Sequence, residues 1–378
     1  MRCFILGAGF SQPTGMPCAG DLTSLLIKNA VYEDGDEDFR QWLDGLQRTI
    51  RQLNGNDSTS RVSVEELFYY GPSTAEMRRM AQQMCPVGRM NGLTPYSQSE
   101  DIDCWLDRLN ERLVHTVEEC ERACCLDSVE RFCKCVDDHD VIITFNYDTL
   151  VERTLTMLGR RWNHGLRDEL EKTGVTIFKL HGSIDWFTFA REVANFEKYE
   201  LLFRKENVDG VDGDPDAKFE LCRLRRRNDL QGVLDSVALD LQCKHARWWP
   251  ALGGLGLYKP LHRVPGFGFA WSKAGHALAT ADTIVVVGFS LSPFDTMARL
   301  QLASAQLNRK ASGQQRVIVI DPDPWQEVID RFRKIYGKCV EAPLDHSAKT
   351  GHQELDWANL FEVDGQPGPS SGNPIHHS

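Results

Sequence analysis

Apolar and β-branched residues gather into five short unbroken runs: Arg2–Leu6, Val141–Phe145, Val175–Leu180, Thr283–Val287 and Arg316–Ile320. Each has about the length of a strand and lacks the polar/apolar alternation of a half-solvated one, so each predicts a strand buried on both faces. Such strands pair in parallel beneath two layers of helix. The expected fold class is therefore α/β, a Rossmann-like parallel sheet with helices on both faces. Every run is followed by small or polar residues, among them Gly7, Asn146, His181, Gly288 and Asp321. Ligands of open α/β sheets sit at those carboxyl ends, and any chemistry is to be sought there.

Between the first and second runs the period changes. Apolar residues recur at three-to-four spacing over Asp21–Val31, Asp38–Leu53, Val64–Phe68, Ala75–Met84 and Ile102–Val136, which predicts helices. That is more than one crossover needs, so a helical insertion is expected over residues 22–138. A second, irregular insertion is expected over residues 186–280. It carries an acidic glycine-rich loop at 207–216, a basic run at 223–228 and a Gly/Pro-rich segment at 253–268. One domain spanning 1–363 would hold both, and residues 364–378 have the turn and linker composition of a disordered tail.

Composition narrows the function classes. Hydrophobic residues at 42% suffice for a sizeable core. A formal net charge of −11 opposes autonomous binding of nucleic acid through bulk electrostatics. Among 12 cysteines no C-x-x-C pair occurs, so the thiolate spacing of a zinc ribbon is missing and no metal is expected. The cluster Cys120, Cys124, Cys125, Cys133 and Cys135 falls in helical sequence and reads as small thiols on helix faces. The first apolar run passes straight into a glycine turn, without a charged leader or an apolar h-region, and no run is long enough to span a bilayer. The expectation is a cytoplasmic protein, off the membrane, with reduced thiols.

Five strand-end segments could carry chemistry. Gly7-Ala8-Gly9-Phe10-Ser11 is a strand–glycine–helix turn whose backbone amides could meet a phosphate, but the third glycine of the dinucleotide fingerprint is replaced by Gln12. An ordinary tight turn explains it equally well. Asn146 and Asp148, two apart after the second strand, could face a pocket or could cap the next helix. His181, in Leu180-His181-Gly182, could serve as a base near neutral pH or as a structural histidine. Gly288 and Ser290, with Asp295 beyond them, suit close approach of a ligand, and Asp321 on the last strand could accept hydrogen bonds from ribose hydroxyls.

Taken in order, G-A-G-x-S, T-x-N-x-D, L-H-G and G-x-S-L resemble the NAD-site motifs of the sirtuin superfamily. The resemblance covers the five strand segments and neither insertion. It implies that Gly7, Ala8, Gly9, Phe10 and Ser11 line the phosphate and ribose of NAD, with Gly15-Met16-Pro17 similar to the following G-I-P. It further implies Asn146 and His181 as catalytic residues, Asp148 on the nicotinamide side, Gly288 and Ser290 in the later nucleotide motif, and Asp321 on the adenosine side. Two departures stand out. Only Cys222 and Cys243 lie where sirtuin deacylases hold zinc with four cysteines, and Cys18-Ala19-Gly20 replaces the usual Asp-Phe-Arg. The chain therefore looks more like the zinc-free sirtuin-like NADases of prokaryotic antiphage defence, which cleave NAD to nicotinamide and ADP-ribose. The alternatives are an NAD-dependent protein deacylase and a non-catalytic NAD or ADP-ribose sensor. What this likeness implies about partners is a homo-oligomer, or a separate regulator such as an ATPase motor or an Argonaute-type protein.

Overall fold

The structure is a computed structural model describing residues 1–30, 37–55, 62–71, 101–166, 174–193, 196–205, 220–222, 247–252, 267–309, 315–321, 325–341 and 357. The predicted helix at 75–84, the charged loops of the second insertion and the tail lie outside the described residues.

All five predicted strands form, as β1 (Arg2–Leu6), β2 (Val141–Thr144), β4 (Val175–Lys179), β9 (Thr283–Val287) and β10 (Arg316–Ile320). Two short edge strands that the apolar pattern did not mark, β3 (Trp162–Asn163) and β11 (Val340–Glu341), complete a seven-stranded sheet in the order β11-β10-β9-β1-β2-β4-β3. Every pairing is parallel. The register matters for function. Leu6 pairs with both Thr144 and Val287, Thr144 with Lys179, and Val287 with Ile320. The strands thus end in one row, and the loops after them share one edge.

Alternate residues of the strands feed two separate cores. On one face Phe4, Leu6, Ile142, Val285 and Ile318 pack with α2 (Ala19–Ala30), α3 (Glu37–Leu53), α5 (Asp101–Arg122), α6 (Asp127–Cys135) and α7 (Leu150–Met157). On the other, Cys3, Ile5, Ile143, Val286 and Val319 pack with α8 (Phe267–Thr280), α9 (Thr296–Leu307) and α10 (Trp325–Tyr336). Burial on both sides is why the strand sequences show no alternation.

Between β1 and β2 the described elements are helical, including the short α1 (Ala8–Ser11) and α4 (residues 64–71). The long helix expected at 102–136 is broken. Cys125 donates its amide to the Thr14 carbonyl at 3.0 Å, and the Thr14 hydroxyl meets Cys124 Sγ at 3.3 Å. This tie to the turn after α1 outweighs local helical propensity and restarts the chain as α6, with Asp127 and Glu130 in its favourable first turn. Phe132 of α6 then meets the rings of Phe4 and Phe10 edge-on.

The second insertion is more regular than its composition suggested. A four-stranded sheet, ordered β7-β6-β5-β8, is built from β5 (Gly182–Val193), β6 (Phe196–Lys205), β7 (Glu220–Cys222) and β8 (Arg247–Leu252). β5 and β6 pair antiparallel from Trp186↔Phe203 to Val193↔Phe196. Lys, Arg and Glu spread through these strands hid their β character. Among the described residues no helix is long and apolar enough to cross a membrane.

Candidate functional site

The first and fourth motifs meet backbone to backbone. Gly7 donates its amide to the Val287 carbonyl at 3.1 Å, Gly9 to the Gly288 carbonyl at 2.9 Å, and Gly288 to Ile320 at 2.9 Å. A Cβ on Gly9 would fall 2.8 Å from Gly288 Cα, and one on Gly288 only 2.2 Å from the Phe10 nitrogen. Gly288 also has φ +58°. These glycines are required by loop-on-loop packing whatever ligand is bound, and the amides of Gly7 and Gly9 are already engaged. Gly288→Ala is expected to cost about 3 kcal/mol or more in chemical denaturation, from left-handed strain plus a backbone clash.

The second motif is tied to this turn. Asn146 Nδ2 donates to the Gly7 carbonyl at 2.9 Å and to Ser11 Oγ at 3.1 Å, and Ser11 Oγ donates on to Asp148 Oδ2 at 2.8 Å. Asp148 Oδ1 accepts the Leu150 amide at 3.3 Å, so this carboxyl also serves the start of α7. Both Nδ2 hydrogens of Asn146 are spent on orienting the amide. Its Oδ1 accepts no hydrogen bond among the described residues.

The third motif closes the circuit. His181, 2% exposed, has Nδ1 3.1 Å from the carbonyl of Phe145, the residue before Asn146. Its Nε2 lies 2.8 Å from Asp295 Oδ2, close but off the hydrogen-bond line. Phe145 is edge-on to the imidazole at 5.0 Å and stacks on Phe289 at 4.3 Å. Tyr147 is tilted against it at 6.0 Å. The Tyr147 hydroxyl is buried with no hydrogen-bond partner among the described residues, and its pKa is pushed up by burial and then by Asp295 and Glu65.

Beneath the site lies a buried cation that sequence reading missed. Lys179, the last residue of β4, is fully buried, with Nζ 2.8 Å from Glu152 Oε1 and donating to the Asp148 carbonyl. Burial pulls its ammonium down, but Glu152, Asp185 and Asp148 outweigh this and hold its pKa above the ordinary lysine value. Burial in turn raises the carboxyls of Asp148, Glu152 and Asp185, with Lys179 opposing. A signal was present: a lysine in an apolar strand run and a glutamate at a core-facing helix position each demand a partner.

The remaining expected site residues divide. Ala8 is exposed on the shared edge, while Phe10 turns its ring into the core against Phe132, so only its backbone can reach that edge. The carbonyl of Ser290 accepts from Arg331 at 2.8 Å. Asp321 is buried at the end of β10, and the Cys18 thiol is pushed up by burial, then by Asp21 and Asp321, which places Cys18-Ala19-Gly20 on the Asp321 side. Cys120, Cys124 and Cys135 pack at the core margin and Cys133 lies within it. Among the described residues no group of His, Cys, Asp and Glu side chains could hold a metal ion.

No family model matches the chain, and no curated protein does. Solved structures do. A structure on sirtuin substrate affinity is 13% identical, over 93% of this chain and 92% of that chain, with a TM-score of 0.33. Sir2 in complex with the inhibitor EX-527, 2′-O-acetyl-ADP-ribose and a deacetylated p53 peptide is 13% identical, over 93% and 91%, with a TM-score of 0.32. Overlaps that loose carry no argument; the α/β, Rossmann-like fold class rests on the sheet order and register above.

Proposed function

We propose that the chain binds NAD along the carboxyl edge of the seven-stranded sheet and hydrolyses its nicotinamide–ribose bond. The observation that carries this reading is the linked set Ser11–Asn146–Asp148 and His181, drawn together from three strand ends whose motifs stand in sirtuin-like order. Nicotinamide departs as a neutral base from a cationic ring, so the leaving group needs no acid. The site has to orient a nucleophile, stabilise an oxocarbenium-like ribose and shut out competing nucleophiles. The oriented Asn146 amide can accept from water or a ribose hydroxyl through Oδ1. His181 takes the proton. Asp148 supports Asn146 through Ser11 and adds a carboxyl near the developing positive charge. Asp321 is suited to the hydroxyls of the adenosine ribose.

The missing C-x-x-C pairs favour hydrolysis over deacylation. Incubation of the protein with NAD, with and without an acyl-lysine peptide, separates the two. Hydrolysis gives ADP-ribose whether or not peptide is present; deacylation gives O-acyl-ADP-ribose only with it. NAD bound but uncleaved under both conditions, and also with lysate from phage-infected cells added, would instead mark a sensor.

Unchecked NAD loss is lethal to a cell, so the activity has to be gated. A role in antiphage defence, with gating by self-assembly or by a separate partner, rests on the motif resemblance. Ser11→Ala is expected to raise KM or lower kcat about tenfold by releasing the Asn146 amide, measured by steady-state nicotinamide release.

A further inference from the structure

We infer that Asp295 is the positioning partner of His181, its buried carboxylate set beside Nε2 of the imidazole. The inference rests on reading His181 as the base and adds a residue to that machinery. A carbonyl oxygen only accepts, so the 3.1 Å approach of Nδ1 to Phe145 O requires a hydrogen on Nδ1. In a neutral imidazole Nε2 then carries a lone pair. Here it stands 2.8 Å from Asp295 Oδ2 with both residues buried. A carboxylate held that close, away from water, favours the protonated imidazole even off the hydrogen-bond line, so the contact is one of charge.

Asp295 is held in place by independent contacts. Its Oδ1 accepts the Ala298 amide at 3.2 Å and so caps α9. The loop carrying it is clamped by α4, whose Tyr69 and Tyr70 rings meet Phe294 at 5.5 and 6.0 Å. From the same helix Glu65 bonds Ser292. Besides Asp295, the titratable and charged groups around His181 among the described residues are Tyr147, Glu65 and, beyond Glu65, Glu66 and Arg331. The carboxyl of Glu65 is raised by burial first and by Asp295 and Glu66 as well.

The consequence has a definite sign. The Asp295 carboxylate favours the imidazolium, so His181 becomes available as a base only after Nε2 has lost its proton to solvent. During turnover the imidazole takes the proton of water or a ribose hydroxyl, and Asp295 stabilises the cation formed. Removing the charge frees the base at lower pH but weakens it.

Asp295→Asn tests this, because asparagine keeps the capping oxygen and the shape while losing the charge. In the full chain with labelled histidine, the His181 signal (assigned by its loss in His181→Gln) is expected to titrate about one pH unit or more lower in Asp295→Asn than in the parent. The acid limb of kcat/KM for NAD cleavage should move down equally, with plateau kcat reduced roughly tenfold or more and KM nearly unchanged. Glu65→Gln should shift the titration less than Asp295→Asn. An unaltered His181 titration in Asp295→Asn, or an equal or larger shift in Glu65→Gln, would overturn the pairing. Full cleavage by His181→Ala would refute the base reading instead, while the ligand-free titration would still judge the pair.

Discussion

His181→Ala is expected to lower NAD cleavage roughly 10²- to 10⁴-fold, the range lost with a positioned base. The effect should fall on kcat, because an imidazole acting on the reacting oxygen matters mainly in the transition state. Truncating a residue only 2% exposed also leaves Asp295 and the Phe145 carbonyl facing a void, so some stability goes with it. His181→Gln is the companion variant, because it can still donate to the Phe145 carbonyl while lacking a base. Both should bind NAD within about threefold of the parent by calorimetry. Near-normal turnover in either would remove His181 from the chemistry.

Lys179→Met is expected to cost about 3–5 kcal/mol, because it strips the counter-charge from a set of buried carboxyls rather than removing the whole ion cluster. In the native protein Lys179 lies 2.8 Å from Glu152, with Asp148 and Asp185 also acting on it. The pH dependence follows from the direction of the carboxyl shifts. Burial already raises Asp148, Glu152 and Asp185, and loss of Lys179 raises them further. A group whose folded pKa lies above its unfolded value stabilises the fold at low pH and loses that contribution as pH rises through the folded pKa. The variant should therefore be closest to the parent at about pH 5 and fall further behind towards about pH 8, as read from denaturant midpoints. A deficit that grows on acidification would contradict the cluster's assigned charges. Asp148 also holds Ser11, so the same variant should loosen the Asn146 amide.

How much of this was written in the sequence depends on whether a residue acts locally or across the fold. The five core strands were legible, since only burial on both faces yields unbroken runs such as RCFIL and TIVVV. Their ends were legible as well, and the aligned register turns those ends into one edge. What local pattern could not supply was pairing at a distance. The break before α6 is made by Thr14, 110 positions from Cys124. The link from Asn146 to Gly7 spans 139 positions, and Asp295 meets His181 only because α9 begins across the edge from β4. Gly9 and Gly288 were noticed as ligand glycines, yet each is demanded first by the other's backbone. The strands of the second insertion escaped notice because charged residues interrupt their apolar pattern.

The most direct test of the central claim is to incubate the protein with NAD, alone and with lysate from phage-infected cells, beside Asn146→Ala and His181→Ala, and resolve the products by chromatography. The expected result is nicotinamide and ADP-ribose in equal amounts from the parent protein and about a hundredfold less, or lower still, from the two variants. Equal cleavage by all three proteins would contradict the assigned site. Intact NAD in every sample, with and without the lysate and with binding still measurable, would contradict the hydrolase.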